Sequence, residues 1–225
     1  MAARTTNRRP DPIAHFVANS LQDKSATVVG AGAVGRQIAI QLVALGISQL
    51  RVFDPGIVEP RHLLLGGFRA DDVGRPKVDA VGDLCHQTNP LLDFTGIQAG
   101  FSTRHVGDAA VFCCVDKFAE RRRVWRAVET RCPFWADVHV VEELVRVLIA
   151  HDEPSRRLYG ATLEKFPETH AVKNAHAPVL ISTSAVAASL AVYQFVRYVD
   201  GLPLYQDVSF DLAAGRLHIA DTKHA

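Results

Sequence analysis

The chain has 225 residues, 48% of them hydrophobic and 22% charged, with a formal net charge of +1. That length suits one α/β domain with extensions, and the hydrophobic share is enough for a sizeable core. A near-neutral balance gives no electrostatic footprint for nucleic acid or a membrane surface, and neither is expected as a partner. The basic run Arg121-Arg122-Arg123 reads as a solvated helix face. The four cysteines, Cys85, Cys113, Cys114 and Cys132, make neither a disulfide framework nor a C-x-x-C zinc pair. The polar, basic stretch Met1–Pro12 lacks the apolar run of a signal peptide, and no span of about 18 apolar residues follows it. A reducing, cytoplasmic setting without zinc is the expectation.

Residues 1–12, rich in Arg, Thr, Asn and Pro, predict a disordered tail, and residues 13–225 a single domain. Ile13–Leu21 reads as a short amphipathic helix. Ala26–Val29 reads as a strand that runs straight into Gly30-Ala31-Gly32-Ala33-Val34-Gly35. Residues 34–45 have helical periodicity, and Gly46 is placed to end that helix in a left-handed turn. Gln49–Phe53 is a second strand, stopped by Asp54-Pro55-Gly56. Such a β-α-β unit implies a parallel pair with a right-handed crossover. Pro76 suits the first turn of a helix running to about Gln87.

Leu92–Ile97 and Val111–Val115 read as further strands, the second carrying Cys113 and Cys114 as small core hydrophobes. Phe118–Arg131 predicts a helix and Pro133–Val138 a strand. Glu143–His151 is read as a strand because Val145, Val147 and Ile149 alternate with less apolar neighbours. Residues 152–177 show no clear period and predict a long crossover loop. Pro178–Val199 is the longest helical pattern, apolar on most faces, and predicts burial or a subunit contact. Leu204–Leu212 and Arg216–Ala220 read as a terminal hairpin. The fold class these elements predict is α/β, Rossmann-like, a mostly parallel sheet flanked by helices and extended by a C-terminal antiparallel hairpin.

Gly30-x-Gly32-x-x-Gly35 lies between a predicted strand and a predicted helix. Gly30 permits the tight turn, Gly32 leaves room for phosphate, and Gly35 lets the helix pack closely on the strand. The helix N-terminus offers unpaired N–H groups to an anion. Asp54, at the end of the next strand, is placed to accept hydrogen bonds from a ribose. NAD and ATP fit these features equally. Two later residues separate them. Lys77 stands at a helix start, where it can neutralise a triphosphate. Asp116 follows a strand, where a carboxylate can hold Mg²⁺. Hydride transfer needs neither.

The strings VVGAGAVG, VFDPGIVE, DDVGRPK, TNP and VDKFAERR occur in an order and spacing that resemble the ThiF/MoeB/ubiquitin-activating-enzyme superfamily over about residues 20–220. The resemblance implies ATP·Mg²⁺ binding and adenylation of the C-terminal carboxylate of a small ubiquitin-like, ThiS/MoaD-like protein, by a homodimer. It assigns phosphate to Gly30, Gly32 and Gly35, and ribose to Asp54. It assigns phosphate charge to Lys77, Mg²⁺ to Asp116 and ordering of the site to Arg121. The chain departs from the family pattern E-x-x-N-L-x-R-Q. His62 stands where Asn is expected and Leu65 where Arg is expected, with Arg61 and Arg69 as the nearest substitutes. The C-x-x-C pairs are absent, and no cysteine follows Cys132, so no thioester relay is expected. His170 and His176 are read as exposed loop residues, not as metal ligands. Three functions are therefore weighed: an adenylating enzyme without a cysteine relay, a weakly active or inactive nucleotide-binding subunit, and, last, an NAD(P)-dependent oxidoreductase.

Overall fold

Every residue of β1 (Ser25–Val29) after the first is buried, because helices cover both faces of the sheet around it. In this computed structural model, described for residues 21–102, 109–165 and 181–220, β1 lies between β2 (Gln49–Phe53) and β4 (Ala110–Cys113), parallel to both. β3 (Asp93–Ile97) continues the parallel sheet beyond β2, and β5 (Trp135–Val141) continues it beyond β4. From β5 onward the pairing turns antiparallel through β6 (Leu144–Ala150), β7 (Asp207–Asp211) and β8 (Arg216–Ile219). The order across the sheet is β3-β2-β1-β4-β5-β6-β7-β8.

One face of the sheet packs α1 (Ala33–Ala44), α3 (Lys77–Thr88) and α6 (Ile181–Val199) through Ile38, Leu42, Val81, Ala187 and Phe195. The other packs α4 (Phe118–Val128) and α5 (Glu153–Lys165) through Val124, Trp125, Tyr159 and Leu163. α2 (Arg61–Gly66) and a 3₁₀ turn at Ala70–Asp72 bridge β2 to α3. Gly46, at φ +87°, ends α1 as expected: its N–H donates to the Val43 carbonyl, and Ile47 N–H donates to Leu42. No helix among the described residues is long and apolar enough to cross a membrane.

The fold class matches the expectation, with finer differences. The antiparallel part is larger than a terminal hairpin, since it begins at the β5–β6 turn, where Glu142 adopts φ 55°. Residues 153–165, read as loop, are α5. The helix is started by a reciprocal cap: Asp152 Oδ1 accepts the Ser155 N–H at 3.0 Å, and the Ser155 hydroxyl oxygen accepts the Asp152 N–H at 3.1 Å. Its buried stripe is Ser155, Tyr159 and Leu163, a helical spacing masked in the sequence because one member is polar. β4 ends at Cys113, short of the expected Val115, so Asp116 sits within the loop beyond it and not directly at the strand end. The 1–12 tail, most of the 13–21 helix, residues 178–180, His170 and His176 lie outside the described residues.

Candidate functional site

The order β3-β2-β1-β4-β5 reverses direction at β1 and β4, and the crevice beyond their C-terminal ends is where open α/β sheets take ligands. The glycine loop sits at that seam. Gly30 has φ +97°, and a Cβ there would lie 2.8 Å from the Cys114 carbonyl oxygen, so only glycine lets the loop lie against the β4–α4 segment. Gly35 is tighter, since its Cβ would meet the Gly30 carbonyl oxygen at 1.8 Å. Gly32 differs from both: nothing lies within 4 Å of where its Cβ would stand. The first turn of α1 has no acidic residue, and its N-cap, Gly32, has no side chain to cap it. Open space therefore adjoins the positive end of a helix.

Asp54 braces this loop. Its Oδ2 accepts the Ala31 N–H and its Oδ1 the Gly56 N–H, both at 2.7 Å. Lys77 is brought to the same place by backbone stitching. Val58 N–H donates to the Arg75 carbonyl at 2.8 Å, Gly74 N–H to Val58 at 2.8 Å and Lys77 N–H to Gly56 at 3.1 Å. A Cβ at Gly56 would find Asp54 Oδ1 at 2.9 Å and Lys77 Nζ at 3.6 Å, so the carboxylate and the ammonium flank one point. Asp116 is exposed in the loop whose Cys114 and Val115 backbone lies against Gly30. The fold thus gathers Gly30, Gly32, Gly35, Asp54, Lys77 and the Asp116 loop around the β1–β4 crevice.

Arg121 goes elsewhere. It is 4% exposed, and its Nη1 pairs with Asp137 while Nη2 donates to the Val138 carbonyl at 3.0 Å. The reading of Arg121-Arg122-Arg123 as a solvated face therefore holds for Arg123, whose side chain is 53% exposed, and is corrected for Arg121, which is buried, and for Arg122, which is half-buried. Arg122 Nη2 donates to the Leu163 carbonyl at 3.1 Å, and Arg123 Nη1 to that of Phe101 at 3.1 Å. Each guanidinium has a carbonyl or carboxylate far along the chain, which a charge count does not show.

At the departure from the family pattern, His62 Nδ1 accepts the Glu59 N–H at 2.9 Å. Burial, then the nearby Lys77 charge, lowers its affinity for a proton, so the ring is neutral. Arg61 pairs with Glu59 at 3.0 Å and Arg69 with Asp71 at 3.6 Å, so both arginines flanking Leu65 are engaged within their own segment. All four cysteines are described, and burial pushes every thiol up, Cys85 to about 12. None has the lowered pKa of a nucleophile.

Sequence reasoning did not single out Asp137, Tyr159 or His139. Asp137 is fully buried on β5 and accepts from Arg121, from the Tyr159 hydroxyl at 2.8 Å and from His139 Nε2 at 2.8 Å. The available signal was one acidic residue inside the apolar run Phe134–Val138.

The architecture is that of a Rossmann-like domain with its crevice at a strand-order reversal. The chain belongs to the ThiF family, which it matches over residues 7–224. It is 26% identical over 202 residues to ubiquitin-like modifier-activating enzyme 5 of Caenorhabditis briggsae, covering 80% of this chain and 47% of that protein. To the protein of the same name from Oryza sativa subsp. japonica it is 30% identical over 144 residues, covering 56% of this chain and 34% of the other. The chain thus spans less than half the length of these relatives. Among solved structures, selenomethionine PaaA superposes with a TM-score of 0.71 at 19% identity, covering 90% of this chain and 74% of that one. MccB of E. coli gives 0.74 at 14% identity, covering 94% and 65%, and has also been solved with ATP. At such identities the structural likeness speaks for the fold.

Proposed function

We propose that this chain binds ATP with Mg²⁺ and adenylates the C-terminal carboxylate of a small ubiquitin-like protein or peptide, without a cysteine relay. The observation that carries the reading is the open space at Gly32, at the uncapped N-terminus of α1. The Lys77 ammonium near Asp54 and Gly56, and the position of the Asp116 loop against Gly30, support it. Membership of the ThiF family, the names of the curated relatives and the ATP-bound form of MccB support it.

In this reading a carboxylate oxygen of the partner attacks the α-phosphorus, the bond to the bridging oxygen breaks, and pyrophosphate leaves. A carboxylate is already ionised at neutral pH, so the step needs positioning and charge neutralisation more than a general base. The α1 amides would hold phosphate oxygens. Lys77 would neutralise the charge that builds on them. Asp54 keeps lone pairs for a ribose beyond the two amides it accepts. A magnesium ion commonly takes one or two carboxylates plus substrate phosphates, and a single exposed carboxylate at a strand-end loop fits that donor set. Asp116 would be that ligand; the ion, when bound, adds charge neutralisation of the phosphates.

The alternative is a nucleotide-binding subunit with little turnover, favoured by His62 and Leu65 in place of the family's Asn and Arg. ATP–pyrophosphate exchange separates the two, measured with and without small ubiquitin-like proteins encoded nearby. Mg²⁺-dependent exchange that disappears in Asp116→Ala supports the enzyme. Tight ATP binding without exchange in wild type supports the binding subunit. A larger thermal shift with NAD or NADP than with ATP·Mg²⁺ would sink both.

A further inference from the structure

We propose that Asp137, Tyr159 and Arg121 form a buried brace that positions the Asp116 loop, with Tyr159 and Asp137 acting on the metal site through Arg121 and never touching nucleotide. The metal role rests on the reading of Asp116 given above; the brace does not.

Asp137 Oδ1 takes Arg121 Nη1, and Oδ2 takes the Tyr159 hydroxyl and His139 Nε2. Arg121 is locked a second time by the Val138 carbonyl. Its backbone N–H donates to the Lys117 carbonyl at 3.1 Å, so fixing Arg121 on β5 fixes the first turn of α4 and the C-terminal end of the 114–117 loop. The other end is fixed on β1, where Cys114 N–H donates to the Val29 carbonyl at 2.8 Å. Asp116 therefore hangs between a backbone anchor and a side-chain anchor.

The third member brings in α5. Two arginines clasp α4 and α5 reciprocally. Arg122 of α4 donates to the Leu163 carbonyl near the end of α5, and Arg156 of α5 donates to Glu129 and Cys132 at the end of α4. Each charge sits at the negative end of the other helix. Tyr159 carries this two-helix unit to Asp137.

The charges in the brace balance. Burial, then the Arg121 and Arg146 guanidinia, hold His139 far below the usual imidazole range, so it is neutral. Burial holds Tyr159 well above the usual phenol range, so it keeps its proton and donates it. One buried carboxylate thus faces one buried guanidinium. Such a pair gains little over an apolar substitute, since desolvation offsets the attraction. Arg121 Nε, moreover, is buried without an acceptor among the described residues. What the arrangement supplies is a fixed direction between β5 and α4.

Tyr159→Phe in the full chain is the test, because the ring keeps its packing on Trp125 at 4.7 Å and Trp135 at 5.5 Å. Without nucleotide, hydrogen exchange of the 114–117 amides should speed up by at least about 3-fold, with the sheet amides unchanged. In ATP binding followed by calorimetry, half-saturation in Mg²⁺ should rise by about 3-fold or more. Asp137→Asn should do both more strongly, and Arg121→Lys should fall between it and wild type. Val147→Ala, a core change on β6, should leave loop exchange at the wild-type rate. Unchanged loop exchange in Tyr159→Phe and Asp137→Asn overturns the brace. Faster exchange with unaltered Mg²⁺ dependence overturns its role at the metal. A wild type that binds no ATP·Mg²⁺ overturns the functional reading instead, and exchange alone then decides the brace.

Discussion

The parallel and antiparallel halves of the sheet are built by different means. In the parallel half, β1 and β4 are buried almost end to end and the crevice is shaped by backbone: glycines without Cβ, amides on Asp54, carbonyls on loop N–H groups. From β5 on, where the antiparallel half begins, side-chain charges on one face do the joining. Asp137 gathers Arg121, Tyr159 and His139, and Arg146 holds Asp207 through two bonds at 2.9 and 2.7 Å. Backbone shaping can be lost by adding a single methyl group; side-chain joining can be lost by removing a single charge.

The comparison can be broken at its charged end first. Asp137→Ala leaves the Arg121 guanidinium buried without its carboxylate, and should cost about 3–5 kcal/mol. Urea unfolding measures this, and a loss under about 1 kcal/mol would show the pair to be dispensable for stability.

Next is Gly35→Ala. Its methyl group has no room beside the Gly30 carbonyl, so backbone must move, at about 1–3 kcal/mol or more. A melting temperature equal to wild type would show that the loop adapts freely.

His139 gives a pH-dependent contrast. Its folded pKa is depressed, by burial first and then by Arg121 and Arg146, with Asp207 opposing. The unfolded chain therefore takes up a proton below about pH 6.5 that the folded chain refuses. Stability is full above that pH and falls as pH drops through it, by at most about 1.4 kcal/mol per pH unit from this group. His139→Asn should remove that part of the slope between about pH 6.5 and 4.5. An identical slope in the variant would assign the loss to other groups.

The smallest effect on the fold belongs to Gly32→Ala, whose methyl group enters open space. Stability should stay within about 0.5 kcal/mol of wild type, while ATP affinity drops by about 10-fold or more as the group fills the room for phosphate. Unchanged affinity, by calorimetry, would mean that phosphate does not approach Gly32.

These contrasts also account for what the sequence revealed. The glycine spacing, Asp54 at a strand end and Lys77 at a helix start are local patterns, and the fold puts them where local reasoning does. The roles of Asp137 and Tyr159 were not legible, because their partners are remote and no period announces them. Arg121 and Arg122 misled for the same reason, while Arg123 is exposed as read: a string of charges states how many there are, not which carbonyls they reach. α5 was missed although Asp152 and Ser155 spelled its cap, because Ser155 also occupies a buried position that periodicity expects to be apolar.

The seam between β1 and β4 has a consequence for how the molecule is made. Ala26 pairs with Ala110, so one wall of the crevice waits for a strand far along the chain. The β5–β6 hairpin needs only its own short turn. Closing the longer loop carries the larger entropic cost, and pairings of that kind form late. As the chain emerges from the ribosome, the glycine loop is finished early but stays one-sided until β4 and the 114–117 segment arrive. A growing chain that stops short of β4 can carry the whole glycine motif and still have no crevice to place beside it.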